Sequence, residues 1–466
     1  MKATIARLLN FKRDEMPLAL LAALHYFCVL CGYSFLRPVR EAMGVSGGME
    51  QLRWLFVVTS LVSLVFVLLF GGVVARLDRR RFIPIGYGFV ILSLFAFAGL
   101  LVINSQMGGG LIGTATETPL SLGVGYTFYT WLSVINLFIN SLFWAFMVDV
   151  FDVDQGKRMF AFIGVGGTLG AIVGGWATNV ISGMTGSDYL PVGLMFIGAA
   201  FFAASIALML LLDRVAVRPG NSRLGGNRAA GASRSEVIGG RAVDGLIAVA
   251  SSPYLLGIAA FIVAMAISNT MIYFAQANII LEATDTFGNR VSSFAQFDML
   301  AQIATLITQL FVTTHLIRRL GVGMTLAVLP LVTLIGFGVL AIWPLYGVMA
   351  IFQALHRATR YAISRPSRET LFSVVTPAQK YKAKPVIDVF LYRGGDVAGS
   401  GIDAGLRALG LGVGGVAAAT VPFAGLWFLL CIGLGRAQQR KAAAQAGELT
   451  SSSTGQMSTG PNEVRA

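Results

Sequence analysis

The chain has 466 residues, of which 56% are hydrophobic and only 12% are charged. Soluble domains carry about 25% charged residues, so the composition excludes an ordinary soluble protein and predicts an integral membrane protein. A formal net charge of +13 at pH 7 would suit a nucleic-acid binder, but the positions of the basic residues argue against that class.

Apolar runs long enough to cross a membrane recur along the whole chain. A helix needs about 20 mostly apolar residues to cross a hydrocarbon core of about 30 Å. The runs predict twelve spans, at 17–36, 53–75, 82–104, 122–150, 158–184, 189–213, 252–281, 294–316, 321–342, 343–364, 385–406 and 411–435. We therefore expect an all-α integral membrane protein.

Lysine and arginine concentrate in alternate loops. With the N-terminus inside, the segments predicted to be cytoplasmic hold 27 of the 35 Lys and Arg residues, and the outer segments hold five. This asymmetry follows the positive-inside rule and predicts that both termini are cytoplasmic. The surplus positive charge is thus a topology signal, and we expect no nucleic-acid partner.

A basic, glycine-rich segment in the middle of the chain separates six predicted spans from six others. The predicted segments are a cytoplasmic N-terminal segment 1–16, a six-helix bundle 17–213, a cytoplasmic linker 214–244, a second six-helix bundle 245–436 and a disordered cytoplasmic tail 437–466. The low hydropathy of the tail is the reason to expect disorder there.

The two halves echo each other in sequence. The segment 150–170, after the fourth span, is matched by 374–399, after the tenth, and Gly166-Gly167 aligns with Gly394-Gly395. Parallel six-helix repeats, each built of inverted three-helix units, are the architecture of the major facilitator superfamily. We expect a twelve-helix bundle of that kind.

Two small-residue patterns in the N-terminal half have simple packing interpretations. Gly166, Gly170 and Gly174 fall every fourth residue, which flattens one helix face and favours close helix contact over a dinucleotide loop. Cys28 and Cys31 form a CxxC within the first span, with no further ligand near in sequence, so we expect packing rather than a zinc site. No metal or cofactor is expected.

In a facilitator-like bundle, spans 1, 4, 7 and 10 line the central cavity, so each should carry one polar stripe at about 100° per residue. The stripes, which we predict to bind substrate, are Tyr26, Tyr33, Arg37 and Arg40; Asn136 and Asn140; Asn269, Tyr273 and Gln276; and Gln353, His356, Arg357 and Arg360. A single polar residue is more often an interhelical hydrogen bond worth about 1 kcal/mol. The agreement of four helices favours a cavity.

Arg357 and Arg360 are the most informative members of these stripes, because they lie inside an apolar stretch. A charged side chain at membrane depth costs from a few to about 10 kcal/mol or more, and it normally faces a water-filled cavity or a partner. Two cations one turn apart call for an anion. That anion is either an internal carboxylate or a transported substrate.

An RPxRE motif occurs twice, at 37–41 at the outer end of span 1 and at 365–369 at the inner end of span 10. In each, the glutamate can pair with the arginine one turn earlier, and the alternative is snorkelling at the membrane interface. We predict that these charges gate the two ends of the cavity. The gating and coupling set comprises Glu41, Asp149, Lys157, Arg158, Arg365, Arg368, Glu369, Lys382, Lys384, Asp388, Tyr392, Arg393 and Asp396.

Two expectations apply within this set. The loop cations Lys157, Arg158, Lys382 and Lys384 would form a cytoplasmic latch with Asp149 and Asp152. In span 11, Arg393 and Asp396 are either an internal ion pair that neutralises itself, or a carboxylate whose protonation or pairing changes as the protein switches face.

Three segments resemble the proteobacterial branch of the ATP:ADP antiporter family, a divergent relative of the major facilitators. They are YSFLRPVREAMG (33–44), FWAFMVDVFDVDQGKRMFAFIGVGGTLGAIVGG (143–175) and RPSRETLFSVVTPAQKYKAKPVIDVFLYRGGDVAG (365–399). The resemblance covers spans 1 to 11. It implies a phosphorylated anionic substrate, a bacterial cytoplasmic (inner) membrane, and roles for Arg37, Arg40, Glu41, Lys157, Arg158, Lys382, Lys384, Asp388, Arg393 and Asp396.

We predict a monomeric secondary antiporter of an organic anion, a nucleotide or another phosphorylated metabolite, that works by alternating access. Guanidinium groups suit phosphate oxygens, and Tyr26, Tyr33 and Tyr273 would stack on a base. The main alternative is a proton-coupled facilitator for a drug, peptide or lipid. An enzyme is disfavoured, because His25, His315 and His356 form no HExxH motif. A non-transporting receptor or scaffold is a further alternative.

Overall fold

The structure, a computed structural model, describes residues 15–74, 79–151, 153–184, 187–216, 242–376, 379 and 383–457. Within these ranges the regular secondary structure is helical. We number the long helical elements α1 to α12 in chain order, and a short helix, Ala242–Ala250, precedes α7. For Lys157 and Arg158 only the backbone is described, and Asp152 and Lys382 lie outside the described residues.

The N-terminal half is formed by α1 Met16–Ser46, α2 Met49–Val74, α3 Arg79–Gln106, α4 Pro119–Val150, α5 Val153–Met184 and α6 Leu190–Ala216. The C-terminal half begins with α7 Pro253–Ala283, α8 Phe287–Phe311 and α9 Thr313–Ile342. Element α10 is composite, with α-helical Tyr346–Ala358, π-helical Thr359–Ser364 and α-helical Arg365–Leu371. Element α11 combines π-helical Val386–Leu391 with α-helical Tyr392–Ala408, and α12 is Val413–Met457.

Three of these elements begin at hydroxyl residues that cap the first turn. Thr118 accepts a hydrogen bond from the Ser121 backbone N–H in a capping box at the start of α4, and Ser252 accepts one from Leu255 at α7. Thr286 does the same at α8. Caps of this kind satisfy N–H groups that a helix leaves free.

Nine helices in the described part of the chain are long and apolar enough to cross a membrane, namely α1 to α7, α9 and α12. The remaining three differ for a physical reason. Polar residues run along α8, and π turns interrupt α10 and α11. The count of twelve spans and the cytoplasmic position of both termini stay predictions.

The predicted glycine face of α5 is confirmed. Gly166, Gly170 and Gly174 pack directly on the backbone of α1, and a Cβ atom built on Gly170 would overlap the Phe27 carbonyl oxygen. The aligned helix of the other half repeats the arrangement. A Cβ on Gly395 of α11 would lie 2.7 Å from the Ala266 Cβ of α7. The α1–α5 and α7–α11 pairs therefore correspond, as the sequence repeat predicts.

The two halves meet at one end of the bundle. We call it the outer end, because it holds the α1–α2 turn at Gly47, which the charge distribution predicts to be outside. Arg53 of α2 binds Asp403 of α11 at 2.8 Å, and Arg290 of α8 donates to the Ser46 hydroxyl at 2.8 Å. Leu52 is fully buried in an apolar cluster shared by both halves. The bundle is closed at its outer end.

Two elements differ from the sequence prediction at their ends. Span 1 is predicted to stop at 36, but α1 continues through Pro38 to Ser46, so that Arg37 and Arg40 lie inside the helix. The tail from 437 is predicted to be disordered, but α12 continues to Met457. Alanine, glutamine, lysine and arginine in 437–445 are good helix formers, which explains the continuation.

Candidate functional site

The site is built around the π-helical turns of α10 and α11. In α10 the Arg365 backbone N–H bonds to the Arg360 carbonyl, five residues earlier. A π turn changes the direction in which the following side chains point, and such turns are frequent at functional sites. Here the two turns bring Arg360 and Tyr392 together.

A cavity of about 200 Å³ lies between α7, α10 and α11, and we call it the arginine cavity. Its lining residues are Met265, Arg360, Tyr361, Ser364, Arg365, Arg368 and Tyr392. The described part of the chain places no carboxylate within 4.0 Å of Arg360 or Arg365, whereas Arg368 lies 3.8 Å from Asp388. The lining therefore carries a surplus of positive charge.

Neutral aromatic groups hold Arg360 in place. Its Nη2 donates to the Tyr392 hydroxyl at 2.7 Å. The guanidinium carbon lies 5.2 Å from the centre of the Tyr361 ring and 5.7 Å from that of Tyr392, within the range of cation–π attraction. Arg360 is thus oriented without being neutralised, which leaves its charge available to an anion.

Arg37, Asp298 and Arg357 form a central ion cluster that joins the two halves. Arg37 Nη1 lies 3.1 Å from Asp298 Oδ1, and Arg357 Nη1 donates to the same oxygen at 2.5 Å. The side chains of Arg37, Asp298 and Arg357 are 26%, 16% and 13% exposed. Arg37 and Arg357 therefore face the bundle interior and keep limited access to water.

On the outer side of this cluster lies a second network centred on Glu41. Arg40 is bonded to Glu41, and its Nη1 also donates to the Ser133 hydroxyl at 2.9 Å. The Tyr273 hydroxyl of α7 donates to Glu41 Oε2 at 2.7 Å and lies 2.9 Å from the Tyr129 hydroxyl. The Glu41 network thus connects α1, α4 and α7 across the two halves.

The ion pair predicted within span 11 is present, since Arg393 Nη1 lies 3.1 Å from Asp396 Oδ2. The Thr270 hydroxyl also donates to Asp396, at 3.4 Å. The predicted Arg37–Glu41 contact is formed at 3.8 Å, but the Arg37 guanidinium is closer to Asp298.

The ion pairs of Glu369 that the structure describes are with other residues than the predicted Arg365. Glu369 Oε2 accepts from Lys384 at 2.6 Å, and Glu369 also lies 3.8 Å from Arg368. Both residues lie in the α-helical segment Arg365–Leu371, so their i, i+4 spacing is kept. Their side chains have different surroundings, because Arg365 lines the arginine cavity and Glu369 binds Lys384 at the start of α11.

Other predicted binding residues lie above or beside the cavity. Tyr26 donates to Asn140 Oδ1 at 3.2 Å, and Asn140 in turn donates to Asn136 Oδ1 at 3.0 Å. One face of the Tyr26 ring is covered by Phe143, with ring centres 4.0 Å apart. Tyr33 is buried, and Tyr273 stacks on Phe56. The predicted stacking of these rings on a base stays a prediction.

The remaining members of the stripes are mostly buried in the protein. Gln276, Gln353 and His356 are buried, and Asn269 is partly buried. Within the described residues, Asn269 Nδ2, Gln353 Oε1 and His356 Nε2 have no hydrogen-bond partner. Asp149 is exposed in the last turn of α4. The predicted cytoplasmic latch involves undescribed side chains and stays a prediction.

Sequence reasoning missed several residues of the site. Asp298 is the single acidic residue of α8, and the rule that singled out Arg357 would have found it too. Tyr129 and Ser133 extend the stripe of Asn136 and Asn140 by two turns and could have been added by the same spacing. Tyr361 gave no sequence signal, because its cavity position depends on the π turn.

Among known proteins, the chain is similar to ADP,ATP carrier proteins. A model of the family described as TLC ATP/ADP transporter matches residues 124–345. ADP,ATP carrier protein 1 of Chlamydia pneumoniae is 21% identical over 446 residues, covering 85% of each chain. The chloroplastic ADP,ATP carrier protein 1 of Arabidopsis thaliana is 22% identical and covers 80% of this chain and 65% of the relative.

Solved structures confirm the fold class. A point mutant of the nucleoside transporter NupG superposes with a TM-score of 0.59 at 16% identity, covering 90% of this chain and 99% of that one. A bacterial homologue of the iron transporter ferroportin, in an inward-facing state, gives 0.61 at 14% identity, covering 91% and 98%. The all-helical, major-facilitator-like architecture predicted from the repeats is therefore confirmed. The fold of the chain is that of these multi-pass membrane proteins.

Proposed function

We propose that the chain is a secondary antiporter of nucleotides or closely related phosphorylated anions, in keeping with its similarity to ADP,ATP carrier proteins. The arginine cavity is the observation that carries this proposal. It places Arg360, Arg365 and Arg368 around one space in which positive charge exceeds negative charge. Cationic cargo would be repelled there, and phosphate would be attracted.

Each group of the cavity has a chemical role in this proposal. Phosphate oxygens accept hydrogen bonds from Arg360, Arg365 and Arg368, since planar guanidinium groups bind such oxygens in a bidentate manner. Tyr361, which is 41% exposed, provides an aromatic surface beside the cavity for a base or ribose. The predicted residues Arg37, Arg40 and Arg357 supply further positive charge above it.

Transport would follow by rocking of one half against the other around this site. The outer end is closed by contacts such as Arg53–Asp403 and Tyr273–Glu41, which must break when the cavity opens outward. We further propose that the protein is a monomer, lies in a bacterial cytoplasmic membrane, and has both termini inside. The absence of a G-x4-GK[ST] motif from the sequence supports a carrier driven by gradients or by counter-substrate.

The test is an exchange assay with purified protein in liposomes. Vesicles loaded with ADP are expected to take up labelled external ATP, and empty vesicles are not, because an antiporter needs a counter-substrate. Uptake that is equal in empty vesicles would contradict antiport. Uptake of a drug or peptide driven by a pH gradient, without any nucleotide exchange, would favour the proton-coupled alternative.

A further inference from the structure

Asp298 occupies an unusual position between the two halves. A single carboxylate oxygen, Oδ1, lies 3.1 Å from Nη1 of Arg37 in the N-terminal half and 2.5 Å from Nη1 of Arg357 in the C-terminal half. Guanidinium groups bind phosphate oxygens through charge-assisted hydrogen bonds of the same kind. The carboxylate therefore stands where an oxygen of an anionic substrate would fit.

The central ion cluster borders the arginine cavity. Arg357 of the cluster precedes Arg360 and Tyr361 by three and four residues on α10, and both of these residues line the cavity. Asp298 is 16% exposed and so is not sealed in the protein. An anion that displaces it would have to compete for Arg357, which lies on α10 just before the cavity-lining Arg360.

The bridge also depends on conformation. Arg37 moves with α1, whereas Asp298 and Arg357 belong to α8 and α10, so the contact between Arg37 and Asp298 needs the two halves to be together. Separation of the halves at the outer end would break it and leave Arg37 with Glu41, at the longer distance of 3.8 Å. Arg37 could then bind an external anion.

We propose that Asp298 is an internal counter-anion that takes the place of a substrate phosphate between Arg37 and Arg357 when the carrier is empty and closed outside. The proposal rests on the proposed function and adds a positioning role for a residue of α8. By competing with the substrate, Asp298 lowers anion affinity in this conformation and favours release. By bridging the halves, it stabilises the closed outer end without cargo.

The test is the Asp298→Asn variant of the full chain, with ADP and pyrophosphate as probes. Loss of the competing charge is expected to tighten ADP binding about tenfold, equivalent to about 1.4 kcal/mol, while exchange in liposomes slows. If Asp298 had only a structural role, the variant would bind ADP more weakly, because unpaired arginines would disorder the site. Calorimetry gives the dissociation constant, and unchanged or weaker ADP binding in a folded variant overturns the proposal.

Two further measurements keep the proposal testable. If Asp298→Asn is unstable alone, ADP or pyrophosphate is expected to restore its melting temperature more than it raises that of the original protein, because phosphate replaces the lost carboxylate. Failure to restore it overturns the proposal. Glu50→Gln, at the exposed start of α2, removes the same charge and is expected to leave ADP binding unchanged.

The two proposals fail in different ways. If the original protein neither binds nor exchanges nucleotides, the proposed function is wrong. If it exchanges nucleotides normally and Asp298→Asn binds ADP no more tightly, the function stands and the role of Asp298 is wrong.

Discussion

At the scale of single residues, the site distinguishes arginines that are paired from one that is only oriented. Arg357 and Arg393 each have a carboxylate partner, at 2.5 Å and 3.1 Å. Arg360 is held by the hydroxyl of Tyr392 and by two aromatic rings. Tyrosine fixes the direction of a guanidinium without cancelling its charge. Arg360 is therefore the residue that we expect to contribute most to anion affinity.

The Arg360→Ala variant is expected to raise the KM for nucleotide exchange by about 10-fold to 150-fold. This range corresponds to the loss of one charge-assisted hydrogen bond, about 1.5–3 kcal/mol. Arg360→Lys is expected to recover only part of the affinity, because an ammonium group lacks the planar fork. Initial exchange rates at varied nucleotide concentration give the KM.

The matched control for this prediction is Arg436→Ala. Arg436 is exposed on α12, away from the cavity. An equal rise of KM in both variants would mean that Arg360 acts only through the overall charge of the protein.

The residues of the site could be predicted in part. Arg357 and Arg360 stand out in the sequence because charge inside an apolar run is costly, and the structure directs both into the bundle. Asp298 was missed, because stripes were sought only on spans 1, 4, 7 and 10. Which carboxylate meets which arginine depends on how helices distant in sequence are placed, and helical periodicity carries no information on that.

At the scale of elements, residue patterns with regular helical spacing correctly predicted which faces of the regular α-helices make contacts. The glycine face of α5 follows from a four-residue repeat, and the structure packs it on α1. In α10 and α11, π turns at Thr359–Ser364 and Val386–Leu391 interrupt the spacing of about 100° per residue. The Arg393–Asp396 pair follows the predicted spacing in α11, because it lies in the α-helical part after the turn. No residue pattern in the sequence indicates the two π turns.

The Gly170→Ala variant is expected to lower the stability of the protein by about 1–3 kcal/mol, the usual cost of overpacking. The added methyl group would overlap the Phe27 carbonyl oxygen, which cannot move without shifting α1. Thermal unfolding in detergent measures the effect as a lower melting temperature.

Gly164→Ala, two turns earlier on the same helix, provides the comparison. A Cβ atom there meets no atom within 4 Å. This variant is expected to keep or slightly raise the melting temperature, since alanine favours helix over glycine. Equal melting temperatures for Gly170→Ala and Gly164→Ala would contradict the close α1–α5 contact.

At the scale of the whole molecule, the structure shows one conformation, closed at its outer end. The repeat in the sequence predicted two similar halves, and the matching α1–α5 and α7–α11 contacts agree with it. The sequence could not predict which end is closed, because one chain must adopt both states with the same residues. Contacts between the halves hold this end closed, for example the ion pair of Arg53 with Asp403. The Asp403 side chain is only 1% exposed.

The Arg53→Ala variant is expected to shift the population toward an outward-open state. It leaves Asp403, a buried carboxylate, with only the more distant Arg407 at 4.0 Å. Leu52→Cys, buried in the apolar cluster shared by both halves, serves as the reporter. The rate at which a membrane-impermeant maleimide labels it is expected to rise about tenfold for each 1.4 kcal/mol by which the closed state is destabilised.

Glu50→Ala in the same reporter background is the control, because Glu50 is exposed on the same helix. It is expected to leave the labelling rate unchanged. If Arg53→Ala labels no faster than this control, the Arg53–Asp403 contact does not hold the outer end closed.

The length of α12 has a mechanical consequence. Its 45 residues span about 67 Å at 1.5 Å per residue, roughly twice the thickness of a hydrocarbon core. Beyond the apolar part, Gln445 donates to the Val374 carbonyl at 3.3 Å, which fastens this extension to the end of α10. The helix is thus a lever arm attached to the C-terminal half, and each degree of tilt would displace its tip by about 1 Å. If the two halves rock, a fluorophore attached near Met457 would move farther than the membrane part of α12. Energy transfer to a second fluorophore could then follow the movement as a change of distance.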